Sequence, residues 1–219
     1  MRLNNLFYIF FIGVFLLSTS LLSCNKKAEV PYVPPITDTQ NNDDDVDDGG
    51  DDEETTAQNY KLLSLGDSYT IGQSVCDSCR FPEQLKDSLI ANFNEQDTFS
   101  LNVIAQTGWT TTNLKSAIAS ANLPSDFDLV TLLIGVNNQY QGKPFSLYET
   151  EFVELTNTAI ALTGNDASKL IVVSIPDYAY TPFGQNSNPE TISEELELYN
   201  NFAQNYCETN GLSYVYITD

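Results

Sequence analysis

From Tyr60 onward, short apolar segments alternate with longer amphipathic ones. The short segments predict strands, and the longer ones, with apolar residues at helical spacing, predict helices. The predicted strands are 61–65, 100–105, 128–134, 170–175 and 213–217; the predicted helices are 82–94, 112–122, 147–162 and 193–210, the last closed by Gly211. Segments 128–134 and 170–175 are continuously apolar, which is typical of parallel strands covered on both faces. The order therefore predicts an α/β fold, a three-layer α/β/α sandwich with a parallel five-stranded sheet.

The amino-terminal segment has the pattern of a secretory signal. After Arg2, residues 6–22 (LFYIFFIGVFLLSTSLL) carry no charge. They end in Leu21-Leu22-Ser23-Cys24, which resembles the bacterial lipobox, where the cysteine receives a lipid before cleavage. We predict a lipoprotein signal peptide over 1–23, lipidation of Cys24, and an exported protein anchored to a bacterial membrane, with the outer membrane as the expected one. An uncleaved transmembrane helix is the alternative, for which the span is short.

Residues 24–59 contain several prolines and then the acidic stretch NNDDDVDDGGDDEETT. So few apolar residues cannot offset the entropy of ordering, and we predict a disordered acidic tether. A calcium-binding loop is the sharper alternative, but the aspartates lack the ligand spacing of an EF-hand. The folded domain is predicted to cover 60–219.

The composition limits the partners and the catalytic groups that the chain can have. The 219 residues include 30 acidic and 9 basic side chains, and the net charge of -21 argues against a nucleic acid partner. Histidine is absent, so the chain itself offers neither a histidine base nor an imidazole metal ligand. Nothing in the sequence indicates a metal or an organic cofactor, and we expect a monomer.

Three glycine-containing loops follow the first three predicted strands, at the sheet edge where parallel sheets bind ligands. They read GDSYTIG (66–72), AQTGWTT (105–111) and GVNNQYQG (135–142). Ser68 follows a buried strand directly, which suits a nucleophile, and Gly108 and Asn137 suit donors to an oxyanion. Trp109 and Tyr140 flank these positions and are candidates for stacking on a sugar or acyl group, with wall packing as the alternative.

These loops resemble those of the SGNH (GDSL) hydrolase family. Its markers are a serine in a GDS block, a glycine, an asparagine in a GxND block and a histidine in a late D-x-x-H block; here Ser68, Gly108 and Asn137 match the first three in order. The resemblance covers residue 60 to the end. It implies a flavodoxin-like SGNH hydrolase fold and a serine esterase that works through an acyl-enzyme on a small-molecule, glycan or lipid ester, with Ser68, Gly108 and Asn137 as catalytic residues.

Two features depart from the family pattern. Asn138 stands where the family more often has aspartate, which puts the geometry of the loop in question rather than catalysis. The D-x-x-H block is absent, and the sequence stops at Asp219, where the family's fifth strand ends. We therefore expect a carboxy-terminally truncated domain that lacks its last loop and helix and is itself inactive. A non-catalytic ligand-binding surface lipoprotein is the alternative function.

The cysteines have simpler interpretations. Cys76 and Cys79 form the motif CDSC, which in an exported protein favours a local disulfide over a redox pair or a zinc site. A redox or structural surface lipoprotein is a third function, and it depends on this motif alone. Cys207 falls on an amphipathic helix and is expected to be a buried free thiol.

Overall fold

A computed structural model describes residues 56–217. The predicted signal peptide, Cys24 and nearly all of the predicted tether lie outside the described residues, so these stay predictions. The strands are β1 (Asn59–Gly66), β2 (Thr98–Ala105), β3 (Leu129–Leu133), β4 (Leu170–Val173) and β5 (Ser213–Val215). The helices are α1 (Ser68–Ile71), α2 (Phe81–Asn92), α3 (Thr111–Ser120), α4 (Val136–Tyr140), α5 (Phe145–Leu162) and α6 (Pro189–Asn210).

The five strands form one parallel sheet in the order β2-β1-β3-β4-β5. The chain moves outward from β1 to β2 and then returns across β1 to β3, continuing in that direction to β5. Because such crossovers are right-handed, α2 covers one face and α3, α5 and α6 cover the other. The reversal leaves a crevice between the carboxyl ends of β1 and β3, the usual ligand position in an open α/β sheet.

The hydrophobic core lies between the sheet and the two helices α5 and α6, which cover one of its faces. In α5, Tyr148, Phe152, Leu155 and Ala159 are each at most 1% exposed and recur at helical spacing. Removing the Phe152 ring would cost about 3–5 kcal/mol, since it leaves a cavity as well as losing buried area. This packing fixes the helix that follows the third loop of the predicted site.

Strands β4 and β5 end two residues earlier than the sequence predicts. The amide of Asn200, buried in α6, accepts from the backbone N–H of Ile175 at 2.8 Å and donates to its carbonyl at 2.9 Å. A side chain thus takes the place of a neighbouring strand just beyond β4. Helix α6 begins four residues before the predicted start, because Pro189 is well suited to a first helical turn. Within residues 56–217 we find no helix both long and apolar enough to cross a membrane.

Candidate active site

Ser68 is the first residue of α1, directly after β1. The side chain of Asp67 caps this helix by accepting from the backbone N–H of Tyr69 at 3.1 Å. A Cβ on Gly66 would overlap the hydroxyl of Thr70 and the carbonyl oxygen of Leu133. Only glycine therefore allows this tight turn, which leaves Ser68 half-buried at the sheet edge, where N–H groups of a first helical turn lack intrahelical acceptors.

Asp67 is fully buried beside Ser68. Its Oδ1 accepts from Tyr69, but its Oδ2 has no hydrogen-bond partner among the described residues. Burial disfavours the charged carboxylate and raises the pKa of Asp67 to about 7, against the weaker opposing effect of its backbone hydrogen bonds. The residue next to Ser68 is therefore a carboxyl group that titrates near neutral pH.

Asn137 lies in α4, just past the carboxyl end of β3, and is buried. Its Nδ2 donates to the backbone carbonyl of Trp109 at 2.9 Å. This contact fixes which way the amide points, since only the nitrogen can donate. An amide nitrogen carries two hydrogens, so the second one remains for a group in the pocket.

Gly108 has a φ of +85°, and a Cβ built there would meet no atom within 4 Å. The position thus needs glycine for its backbone conformation and not for space. Its carbonyl accepts from Nε2 of Gln141 at 2.9 Å. Two amides of the third loop, those of Asn137 and Gln141, therefore bind consecutive carbonyls of the second loop and hold Gly108 in place.

A third amide of the third loop, that of Asn138, also binds the second loop. Asn138, fully buried, accepts from the backbone N–H of Thr111 at 3.0 Å and donates to the Thr111 hydroxyl at 2.7 Å. That hydroxyl donates to Oε2 of Glu151 at 2.5 Å. Glu151 is a buried carboxylate of α5 that sequence reasoning missed. Its position between Tyr148 and Phe152 on the apolar face of the helix was the available signal.

A pocket of about 670 Å³ opens at this edge of the sheet. It brings together Ser68, Asn137 and Tyr140 of the predicted site; the other lining residues are Tyr69, Gln73, Ser74, Thr107, Val136, Tyr178, Thr181 and Phe183. Gly108 is adjacent to the lining through Thr107. Trp109 does not line the pocket, because its ring is partly buried against the hydrophobic core. Substrate contact by Trp109 stays a prediction.

The two cysteines after the nucleophile loop, Cys76 and Cys79, form a disulfide with a Cα–Cα distance of 5.0 Å. They are exposed, and they follow Gln73 and Ser74 of the pocket lining by only a few residues. Cys207 is a buried free thiol. Burial raises the pKa of Cys207 to about 11, so it is an unreactive thiol at neutral pH.

The sequence profile of the GDSL-like Lipase/Acylhydrolase family matches residues 64–219, which contain every residue of the site described above. The chain belongs to this family. As a GDSL hydrolase it is a serine ester hydrolase by class, and the GDS block that contains Ser68 falls within the matched segment.

Solved structures share the fold of this GDSL hydrolase at low sequence identity. A lipase/acylhydrolase from Enterococcus faecalis has a TM-score of 0.53 at 19% identity, over 71% of this chain and 74% of that one. An acetyl xylan esterase from Geobacillus stearothermophilus gives 0.53 at 18%, over 72% and 76%. A lipolytic GDSL-family protein from Veillonella parvula gives 0.51 at 16%, over 72% and 76%. A search of curated protein sequences finds no significant match.

Proposed function

We propose that this GDSL hydrolase is a membrane-tethered esterase that uses Ser68 as its nucleophile. One observation carries the proposal: Ser68 and Asn137 come from the ends of neighbouring strands and line the same pocket, with the Asn137 amide oriented by the Trp109 carbonyl. A nucleophile beside a fixed, partly unused amide donor is the arrangement that acyl transfer requires.

In the proposed reaction the Ser68 hydroxyl attacks the ester carbonyl carbon. A bond forms between Oγ and that carbon, and the hydroxyl proton passes to a base. The backbone N–H groups of Ser68 and Gly108 and the second N–H of Asn137 donate to the oxyanion. Collapse of the tetrahedral intermediate breaks the bond to the alkoxy oxygen, and the protonated base gives its proton to the departing alcohol. Water, deprotonated by the same base, then attacks the acyl carbon; the bond to Ser68 Oγ breaks, Oγ recovers the proton and the carboxylic acid is released. Each oxyanion donor contributes about 2.7–4 kcal/mol of transition-state stabilisation in such sites.

The base is not a histidine of these 219 residues, because they contain none. We assign the proton transfer to the histidine of a D-x-x-H segment outside them, as the family pattern implies. A second cavity, of about 690 Å³, lies at the carboxyl ends of β4 and β5 and is lined by residues that include Asp177, Asn200 and Tyr216.

Labelling and kinetics test the catalytic assignment in a form that carries the D-x-x-H segment. A fluorophosphonate should label this form and should not label its Ser68→Ala variant, whereas Ser120→Ala, which removes an exposed hydroxyl of α3, should label normally. Asn137→Ala should lower kcat by about 10²–10³ and change KM little, because the lost donor acts mainly in the transition state. Equal labelling of Ser68→Ala and its parent would refute the assignment.

The membrane tether is a separate part of the proposal. Lipidation of Cys24 would hold the protein on the membrane, since each buried CH₂ of an acyl chain contributes about 0.8 kcal/mol. Cys24→Ala should leave unprocessed precursor and no incorporated palmitate. Normal palmitate labelling of that variant would contradict the anchor.

A non-catalytic ligand-binding lipoprotein is the second candidate function. It is favoured by the combination of a formed pocket with a chain that contains no histidine. The two functions differ in turnover: this alternative predicts that esters bind in the pocket and are not hydrolysed, whereas a D-x-x-H segment in the protein would support the esterase.

A further inference from the structure

Three aromatic rings form one wall of the pocket beside Ser68. The ring centroids of Tyr140, Tyr178 and Phe183 lie 5.8–6.3 Å apart in each pairing. Tyr140 and Phe183 are each 57% exposed. Adjacent aromatic rings that face solvent within a pocket favour an apolar or aromatic ligand, because such a ligand removes their surface from water.

One ring of this wall is held by hydrogen bonds. The Tyr178 hydroxyl donates to Oε1 of Gln139 at 2.8 Å, and Nε2 of Gln139 donates to Glu195 of α6 at 2.7 Å. These bonds hold the buried Tyr178 ring and occupy its hydroxyl hydrogen. Tyr178 therefore provides an ordered ring against which the exposed rings of Tyr140 and Phe183 pack.

Apart from the proposed oxyanion donors beside Ser68, the described lining of the pocket offers no positive charge to an anion. No lysine or arginine is present among the described residues that line it. The pKa of Tyr69, on the same wall, is raised to about 12 by burial and then by the nearby charges of Asp67, Tyr178 and Asp177. Of the neighbouring cations, Arg80 is paired with Glu83 at 2.9 Å, and Lys143 lines a different cavity. An anionic group packed on the aromatic wall would therefore meet the field of the protein's net negative charge and find no counterion among the described lining residues.

We propose that the pocket selects uncharged esters whose aryl or apolar group packs on Tyr140 and Phe183. It would reject esters with a phosphate or carboxylate near the bond to be cleaved. The inference rests on the proposed function, because it assumes that the ester carbonyl lies at Ser68. It goes further by naming the substrate class and the side chains that determine it.

Ligand binding to the Ser68→Ala variant of the 219-residue chain tests this selectivity without turnover. The ligands are methyl para-acetoxybenzoate and para-acetoxybenzoate, which differ by one charge and one methyl group, titrated by NMR at neutral pH. We expect the neutral ester to bind about tenfold more tightly. High salt should narrow the gap, because it screens the negative potential around the open pocket.

Two further variants locate the interaction. Adding Phe183→Ala should weaken binding of the neutral ester by about three- to tenfold, the loss expected for one aromatic contact. Adding Tyr180→Ala should change nothing, since Tyr180 belongs to the same loop but is 79% exposed and lines the other cavity. Equal affinity for the two esters, no detectable binding of the neutral one, or insensitivity to Phe183→Ala would overturn the proposal.

The result of this binding experiment can be distinguished from the result of the labelling experiment that tests the proposed function. Fluorophosphonate labelling of Ser68 together with equal affinity for the two esters would refute the substrate class alone. Preference for the neutral ester without labelling of Ser68 would support the binding selectivity and refute the catalytic assignment.

Discussion

Asn138 and Glu151 bind the hydroxyl of Thr111 from opposite sides: Nδ2 of Asn138 donates to it at 2.7 Å, and Oε2 of Glu151 accepts from it at 2.5 Å. An amide nitrogen can only donate, so the single hydroxyl hydrogen must point toward Glu151. This direction of the hydrogen bonds explains why asparagine is suited to position 138. An aspartate there would compete with the Glu151 carboxylate for one hydrogen, inside a buried site.

The first prediction concerns this pair. Asn138→Asp should lower the free energy of unfolding by about 1–3 kcal/mol, because one of two buried carboxylates loses a donor. Adding Glu151→Gln should recover part of that loss, since the hydroxyl can then donate to Asp at 138 while Gln at 151 donates to the hydroxyl. The ion pair of Glu151 with Lys115, at 3.5 Å, is lost in both variants that carry Gln and so cancels from the coupling energy. Denaturant unfolding of the parent, both single variants and the double variant gives the coupling energy directly.

Asn113→Asp is the matched control on the same segment. Both hydrogen bonds of Asn113, from the backbone N–H and hydroxyl of Thr110, use its Oδ1 as acceptor. An aspartate keeps both, so its effect on stability should be small. If the effects of Asn138→Asp and Glu151→Gln simply add, the two positions are not coupled and the argument from hydrogen-bond direction is wrong.

The second prediction follows from the buried carboxyl of Asp67. Its folded pKa of about 7 exceeds the ordinary value of 3.8, so the folded state keeps a proton that the unfolded state releases. Stability conferred by this proton is present at low pH and is lost as the pH rises toward 7. Asp67→Asn should therefore raise the free energy of unfolding above about pH 7, by at most about 4 kcal/mol.

Measuring the free energy of unfolding of the parent and of Asp67→Asn across the pH range checks this prediction. The difference between Asp67→Asn and the parent should shrink as the pH falls and disappear below about pH 3, where Asp67 is neutral in both states. A constant difference at all pH values would show that the substitution acts through packing and not through ionisation.

The third prediction concerns the turn before Ser68. Gly66→Ala should cost at least about 3 kcal/mol, because the new methyl group would overlap the Leu133 carbonyl oxygen, a backbone atom that cannot move aside cheaply. Gly142→Ala is the control: φ there is +62° and the space is open, so only the backbone strain of about 1 kcal/mol applies. Thermal unfolding compares them, and equal losses would contradict the close approach of β1 and β3.

The fold could be predicted because the sequence patterns that indicate its strands and helices are local. The continuous apolar run at Leu129–Leu133 indicates a strand covered on both faces, and Tyr148, Phe152 and Leu155 mark the buried side of α5. The ends of β4 and β5 could not be predicted in the same way. Beyond β4 the Asn200 amide reaches the backbone of Ile175 from another element, and beyond β5 the backbone N–H of Ile217 donates to the hydroxyl of Ser174.

The candidate site, like the fold, could be predicted only in part. Ser68, Gly108 and Asn137 are indicated by glycine-containing loops after strands, and the structure brings those loops together. The aromatic wall was foreseen only at Tyr140. Tyr178 and Phe183 follow β4, and nothing in their local sequence distinguishes them from core aromatics; the distances that join them to Tyr140 exist only in the folded chain.

The last prediction tests the missing base. A serine hydroxyl needs a proton acceptor, and loss of the base in a known serine protease costs on the order of 10⁶ in kcat. The 219-residue chain should therefore hydrolyse p-nitrophenyl acetate hardly faster than buffer. Because Ser68 is only half-buried beside an open pocket, added imidazole should restore part of the rate, beyond its own reaction with the ester. Ser68→Ala should abolish that gain. If the chain alone matches a form carrying the D-x-x-H segment, and Asp67→Asn removes the activity, then the Asp67 carboxyl is the base and the assignment to an external histidine is wrong.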